Sequence, residues 1–296
     1  VDNEILLGAK MGITTRVTTV YADEPKTPDF TICVLLYGDH LDLAKRCIEP
    51  ILQLPKKRIE LRIGCNAIGP ATQDWLDTIF DIKAEDCHSA IRYSTQSNIG
   101  KYPMMRNMFH DPNHPIHSPY IMWFDDDSYI TTPTNEWLNS VGSQLALHPM
   151  CGCIMGTTYA GNQTKWIQMQ PWYKGRGFHE AGTYANPIPV MPWFAVGGFW
   201  AIRPALIQKL DWPPKNIIHR GGDVMLGEAL YQHNIVAQNF YQGVVINADK
   251  DGNAHKAPRR GMDPLSVGID YEPPLTVALH IATKDIDPKL LDYPGL

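Results

Sequence analysis

The sequence predicts an α/β domain built on a mostly parallel central sheet with helices on its flanks. From Phe30 onward, short apolar runs alternate with segments whose apolar residues recur at helical spacing, the pattern of successive strand–helix–strand units. The run Tyr120-Ile121-Met122-Trp123-Phe124 then stops abruptly at Asp125, Asp126 and Asp127. A buried strand reads this way when it reaches the carboxyl edge of such a sheet, which is where ligands bind. At 44% hydrophobic and 19% charged over 296 residues, the chain can bury a substantial core and is not disordered. Its net charge of -5 gives no general electrostatic pull toward nucleic acid or an anionic membrane.

Residues 1–29 form a lead-in that ends in a Pro-interrupted stretch, with Thr14 to Tyr21 as a candidate extra edge strand. Phe30 to Asp39 reads as the first buried parallel strand. Leu43, Cys47, Ile48, Ile51 and Leu52 then lie at helical spacing, and Ile59, Leu61 and Ile63 alternate in a second strand. A helix over Ala71 to Ile82 and a short strand over Ala90 to Tyr93 follow. Gly100 permits a sharp turn before the next helix. His110, His114 and His117 lie among prolines at no ligand spacing and read as a surface loop. Thr134 is placed to cap a helix running to about His148, and Cys151 to Thr157 is strand-like. Gly156 to Trp193 is rich in aromatics and glycine, a composition that suits stacking on sugars or bases and equally suits a core. A strand after Gly197-Gly198, a helix from Pro204, a helix with Asp223 in its first turn, further strands between Val236 and Ile246, and a last strand over Leu275 to Ile281 complete the core. Asp249 to Asp270 is polar and reads as a loop, a lid or an acceptor contact.

Three adjacent carboxylates at a sheet edge repel one another unless a cation lies among them. Asp125 and Asp127 point to one side if strand geometry persists through them, which favours a divalent metal held by oxygen. The other reading is an acidic turn that caps the next helix. The six cysteines include no Cys-x-x-Cys pair and read as reduced thiols of a cytoplasmic protein, of bacterial or viral origin. No stretch is long and apolar enough to span a bilayer and no signal peptide is visible. A secretory-pathway chain trimmed of its anchor would read the same.

Phe124-Asp125-Asp126-Asp127 after an apolar strand resembles the Asp-x-Asp signature of GT-A glycosyltransferases, and further segments fall in that family's order between residues 30 and 284. The resemblance implies a single catalytic domain over 30–296, after an N-terminal extension of 1–29, with a nucleotide half (30–130) and an acceptor half (131–296) that carries a smaller mixed sheet. It implies a base-cupping loop at Tyr37, Gly38 and Asp39, with Asn66 in place of the Asp that often ends the second strand. Asn98-Ile99-Gly100 matches an Asn-x-Gly segment, with Lys101 and Arg106 placed toward the diphosphate or sugar. Gly197 and Gly198 match a turn that approaches the donor sugar, and Asp223 matches the carboxylate that deprotonates the acceptor in inverting members, where many relatives have Glu-Asp and this chain has Gly222-Asp223. His280 matches a late metal ligand, and Lys284 follows as a diphosphate contact.

The reaction so implied is metal-dependent transfer of a sugar from a nucleotide sugar, foremost a UDP-sugar, to a hydroxyl, with inversion. Mn2+ or Mg2+ would be held by Asp125, Asp127 and His280, Asp126 would reach the donor's ribose or sugar, and Asp223 would be the base. The acceptor is a glycan or another hydroxyl compound; modified DNA would require Lys256, Arg259 and Arg260 to form a basic stripe. Two other readings stay open: a metal-dependent nucleotidyltransferase or phosphohydrolase, and a non-catalytic sugar-binding protein on the same fold.

Overall fold

The computed structural model describes residues 5–10, 13–20, 27–81, 89–147, 151–155, 195, 197–215, 217, 222–232, 236–240 and 242–248. The chain opens with strands β1 (Ile5–Lys10) and β2 (Ile13–Val20), then alternates β3 (Phe30–Tyr37), α1 (Leu41–Leu52), β4 (Ile59–Asn66), α2 (Pro70–Asp81), β5 (Ser89–Thr95), α3 (Lys101–Phe109) and β6 (Tyr120–Asp125). Next come β7 (Tyr129–Ile130), α4 (Asn135–Leu147), β8 (Cys151–Met155), β9 (Phe199–Ile202), α5 (Pro204–Leu210), α6 (Gly222–Gln232), β10 (Val236–Asn239) and β11 (Val244–Val245).

One nine-stranded sheet runs in the order β1-β2-β5-β4-β3-β6-β9-β8-β10. Its centre, β5-β4-β3-β6, is wholly parallel, and β9 enters antiparallel between β6 and β8. The smaller sheet is the antiparallel pair β7–β11. The strand expected over Thr14 to Tyr21 is present as β2 and lies against β5, but it is not the edge: β1, not expected from the sequence, lies outside it. Among the described residues no helix is long and apolar enough to cross a membrane.

The period-two alternation of the central strands divides the core. Phe30, Ile32, Val34 and Leu36 of β3 face one way, onto Cys47, Ile48 and Ile51 of α1 and Leu138, Val141 and Leu145 of α4. Cys33 and Leu35 face the other way, onto α3, α5 and α6. Because both faces are covered, β3 reads as a continuous apolar run. On β6, Tyr120, Met122 and Phe124 join the first layer, while Ile121 and Trp123 join the second. The next residue on that second side is Asp125.

The chain leaves β3 toward β4 and β5, then returns to build β6 on β3's other flank. The strand order therefore reverses between β3 and β6, and a crevice opens beyond their carboxyl ends. Tyr37 closes β3 and Asp125 closes β6.

Burial holds the thiols of Cys33, Cys47 and Cys65 protonated: Cys33 is pushed up to about 12, and the other two are also raised. Such thiols pack as small hydrophobes and are neither nucleophiles nor metal ligands. A raised folded-state value stabilises the fold fully below the unfolded thiol's value, near 8.5. That stabilisation is lost as pH rises from there toward the folded value. The unfolding free energy from urea titration, and the midpoint with it, should thus fall between pH 7 and pH 9.5, by up to roughly 1 kcal/mol per thiol per pH unit above the unfolded value. An unchanged midpoint would contradict this packing.

Candidate active site

The site begins with register. Tyr37 pairs with Asn66, Asn66 with Thr95, and Leu35 with Asp125, so the ends of four parallel strands meet along one edge. Three groups of residues project from it.

The first is the Asp turn. Strand geometry ends at Asp125, and the Ser128 N–H donates to the Asp125 carbonyl at 2.9 Å to close a turn. The alternation that would align Asp125 with Asp127 therefore stops two residues short of Asp127, and the three carboxylates fan out from a turn. Asp125 continues the Trp123 side of β6. Its Oδ1 accepts the Trp123 indole N–H at 2.9 Å, and its Oδ2 pairs with Lys101 Nζ at 2.7 Å. Asp126 is nearly buried, and its Oδ2 accepts the Tyr37 N–H at 3.4 Å. The Ser128 hydroxyl donates to Asp127 Oδ1 at 3.4 Å and accepts the Asn247 N–H at 3.0 Å, while the Ala248 N–H donates to the Asp127 carbonyl at 2.7 Å. Gly198 is packed against Ser128 and Asn247 with no space for a Cβ, and its carbonyl accepts the Asp125 N–H.

The second is the launch of α3. Gly100 has φ 91° and ψ 164°, a backbone state that only glycine adopts readily. The Asn98 Oδ1 accepts the Gly100 N–H at 2.8 Å. Asn66 holds this turn from behind: its Nδ2 donates to Asn98 Oδ1 and the Gly100 carbonyl, and its Oδ1 accepts from the Ile99 N–H and the Thr95 hydroxyl. Asn66 is 2% exposed, so its amide is engaged inside the chain, where the sequence suggested a base contact. Lys101 follows directly and also donates to the Gly197 carbonyl at 2.8 Å. Arg106, expected near the diphosphate, instead grips Asp211 Oδ1 at 2.8 Å and the Pro213 carbonyl at 2.6 Å.

The third is the start of α6. Asp223 lies in its first turn and is half-buried. A Cβ placed on Gly197 would sit 2.8 Å from Lys101 Nζ, 3.4 Å from Asp223 Oδ2 and 3.8 Å from Asp125 Oδ2. Residues 101, 125, 197 and 223, from four separate segments, thus meet at one point. On the β3 side, Asp39 is exposed and lies against Gly69, ahead of α2. Tyr37, at the end of β3, is tied to the Asp turn through its N–H to Asp126.

Among the described residues no three His, Cys, Asp or Glu groups form a metal-binding cluster; His280 and Lys284, like the 156–194 segment and the candidate basic stripe, lie outside the described residues. The donors present are carboxylate oxygens, which suit Mg2+ or Mn2+. An ionised carboxylate offers about four acceptor sites, and Asp125 is seen to use two, one each for Lys101 and Trp123. The chemistry of the site therefore fits a hard divalent cation. Two features were not foreseen from the sequence. The Trp123 indole was legible in principle, two residues before Asp125 on the same strand face; the Ser128–Asn247 brace joins segments too distant to be paired by reading.

No protein-family profile matches this chain, and no curated protein sequence is similar to it. Solved structures are similar in fold. A mannosyltransferase, PcManGT from Pyrobaculum calidifontis, in complex with GDP-Man and Mn2+, aligns over 89% of this chain and 71% of its own, with 12% identity and a TM-score of 0.54. S. aureus TarS 1-349 aligns over 72% of this chain and 58% of its own at 13% identity, with a TM-score of 0.49 that carries no weight here. The fold is of the GT-A type, as the ordered motifs implied.

If Asn66 builds the α3 launch, Asn66→Ala should cost roughly 2–3 kcal/mol, because it strands buried partners. Urea unfolding measures this; an unshifted midpoint would remove Asn66 from that role.

Proposed function

We propose that this chain is a glycosyltransferase that moves a sugar from a nucleotide-sugar donor to a hydroxyl acceptor with inversion. The meeting of Asp125, Lys101 and Asp223 around Gly197 carries the reading. It sets a cation, a carboxylate that could bind metal, and a second carboxylate suited to proton abstraction on one small volume, at the sheet edge where α/β ligands bind. The GDP-Man and Mn2+ of the similar mannosyltransferase support a nucleotide-sugar donor and a divalent ion.

In this reading the nucleotide lies over the end of β3, with Tyr37 and Asp39 beside the base and Asp126 toward the ribose. Residues 30–130 supply that half and residues 131–296 the acceptor half. Mn2+ or Mg2+, held by Asp125, Asp127 and His280, would offset charge on the leaving diphosphate. Lys101 has three N–H donors; Asp125 and Gly197 take two, and a diphosphate oxygen would take the third. Lys284 would add a second cation there. Gly197 carries no side chain to bar the sugar's approach, and Gly198 acts indirectly, by seating the Asp turn against Ser128 and Asn247. Asp223 accepts the acceptor's proton as its oxygen attacks the anomeric carbon from the face opposite the diphosphate. Asn66, Asn98 and Gly100 act indirectly, by setting the α3 launch.

A thermal-shift screen of UDP-glucose, UDP-N-acetylglucosamine and GDP-mannose, with and without Mn2+, tests this. One donor should raise the Tm by several degrees, and EDTA should abolish the shift. Asp223→Asn should keep that shift and lose at least 100-fold in turnover. No shift with any donor, or full turnover in D223N, would overturn the reading.

A further inference from the structure

We infer that Tyr102 is the positioning residue of the site: its phenol oxygen fixes the start of α6 and so holds Asp223 at its distance from Asp125 and Lys101. This rests on the base role proposed above for Asp223.

The first N–H groups of a helix have no partner within it. Here the Asp223 N–H donates at 3.0 Å to the Tyr102 hydroxyl. The tyrosine is 3% exposed and belongs to the apolar layer formed by α3, α5 and α6. Its ring meets Trp212 edge-on, with centroids 5.8 Å apart at 75°. A ring so confined holds its oxygen at a fixed point. Gly222 is shaped to this contact: a Cβ there would land on the Tyr102 ring, 2.7 Å from its hydroxyl. The glycine lets the helix start close onto the phenol.

Packing alone would be met by Phe, and a helix start is ordinarily capped by Ser, Thr, Asp or Asn from the preceding turn. A buried phenol reaching across from another helix does something a local cap does not: it ties α6 to α3. Lys101 and Tyr102 are consecutive in α3. One holds the Asp125 carboxylate and the other holds the backbone of Asp223, so one helix start sets the spacing of both carboxylates. Burial, aided by the negative charge of Asp223, drives the phenol's pKa well above its ordinary value, so the hydroxyl stays neutral throughout the working pH range.

Hydrolysis of the donor is the assay, because water can stand in for the acceptor. The anomeric C–O bond to phosphate breaks, a C–O bond to water forms, the diphosphate leaves with the electron pair, and the water proton passes to Asp223. Tyr102→Phe is compared with the wild type and D223N on UDP-glucose, UDP-N-acetylglucosamine and GDP-mannose with Mn2+. Donor-binding sites per chain and donor affinity are counted by titrating tryptophan fluorescence. The expected result is unchanged site number and affinity within twofold, with turnover per site down roughly 10-fold. A merely structural tyrosine would lose sites, not turnover per site. Y102F turnover within twofold of wild type, with D223N inactive, overturns the role of Tyr102 alone. Full D223N turnover, or no binding of any donor, overturns the base reading beneath it. If Y102F does not fold, Gly222→Ala, which presses on the same ring, should show the same loss per site; full turnover in G222A overturns the inference.

Discussion

The ion pair between Lys101 and Asp125 is the contact on which the rest of the site depends. It joins the start of α3 to the end of β6, and the same ammonium reaches the Gly197 carbonyl, so three segments distant in sequence are held at one point. The side chains are only 13% and 23% exposed. Removing either partner would therefore cost more than the ~0–1 kcal/mol of a surface pair, because the other would be left partly buried and unpaired. The pair also tempers repulsion within a run of three carboxylates that Asp223 extends from the opposite side.

The architecture explains why these residues meet. The parallel strands β3 and β6 bring Tyr37 and Asp125 to one crevice because the strand order reverses between them. Alternation along β6 turns Asp125 onto the face that α3 covers, two residues beyond the buried Trp123. The glycine turn at 100, braced by Asn66 and Asn98, starts α3 at the height where Lys101 reaches that carboxylate. Each step is local and ordinary; the site arises from their coincidence at one sheet edge.

Much of this was legible in the sequence. The central strands and helices followed from periodicity, since near-continuous apolar runs such as Phe30 to Leu36 have few other readings. The carboxyl-edge position of Asp125 followed from the abrupt end of the Tyr120–Phe124 run. What the sequence hid was direction. Asn66 stands where a ligand contact was expected, yet its amide turns inward to hold residues 98–100. Arg106 lies five residues, well over a helical turn, beyond Lys101 and serves the Asp211–Pro213 turn instead. Tyr102 gave no signal, because an aromatic at a helix start is indistinguishable from core until its oxygen is seen on another helix. β2 falls where a strand over Thr14 to Tyr21 was expected, but β1 escaped for a different reason: Ile5 to Lys10 lacks the alternation that marks a half-exposed strand.

Gly197 tests the convergence most directly. Its φ lies outside the left-handed region and the nearest atom to an added Cβ is the end of the Lys101 side chain, not backbone, so a larger side chain displaces that ammonium and fills the shared volume while leaving the packed core in place. Gly197→Leu should unfold within a few degrees of the wild type and lose both donor binding and turnover. Retained donor affinity together with full turnover in G197L would mean that the reacting sugar lies elsewhere, and that Asp125, Lys101 and Asp223 meet only to hold the chain together.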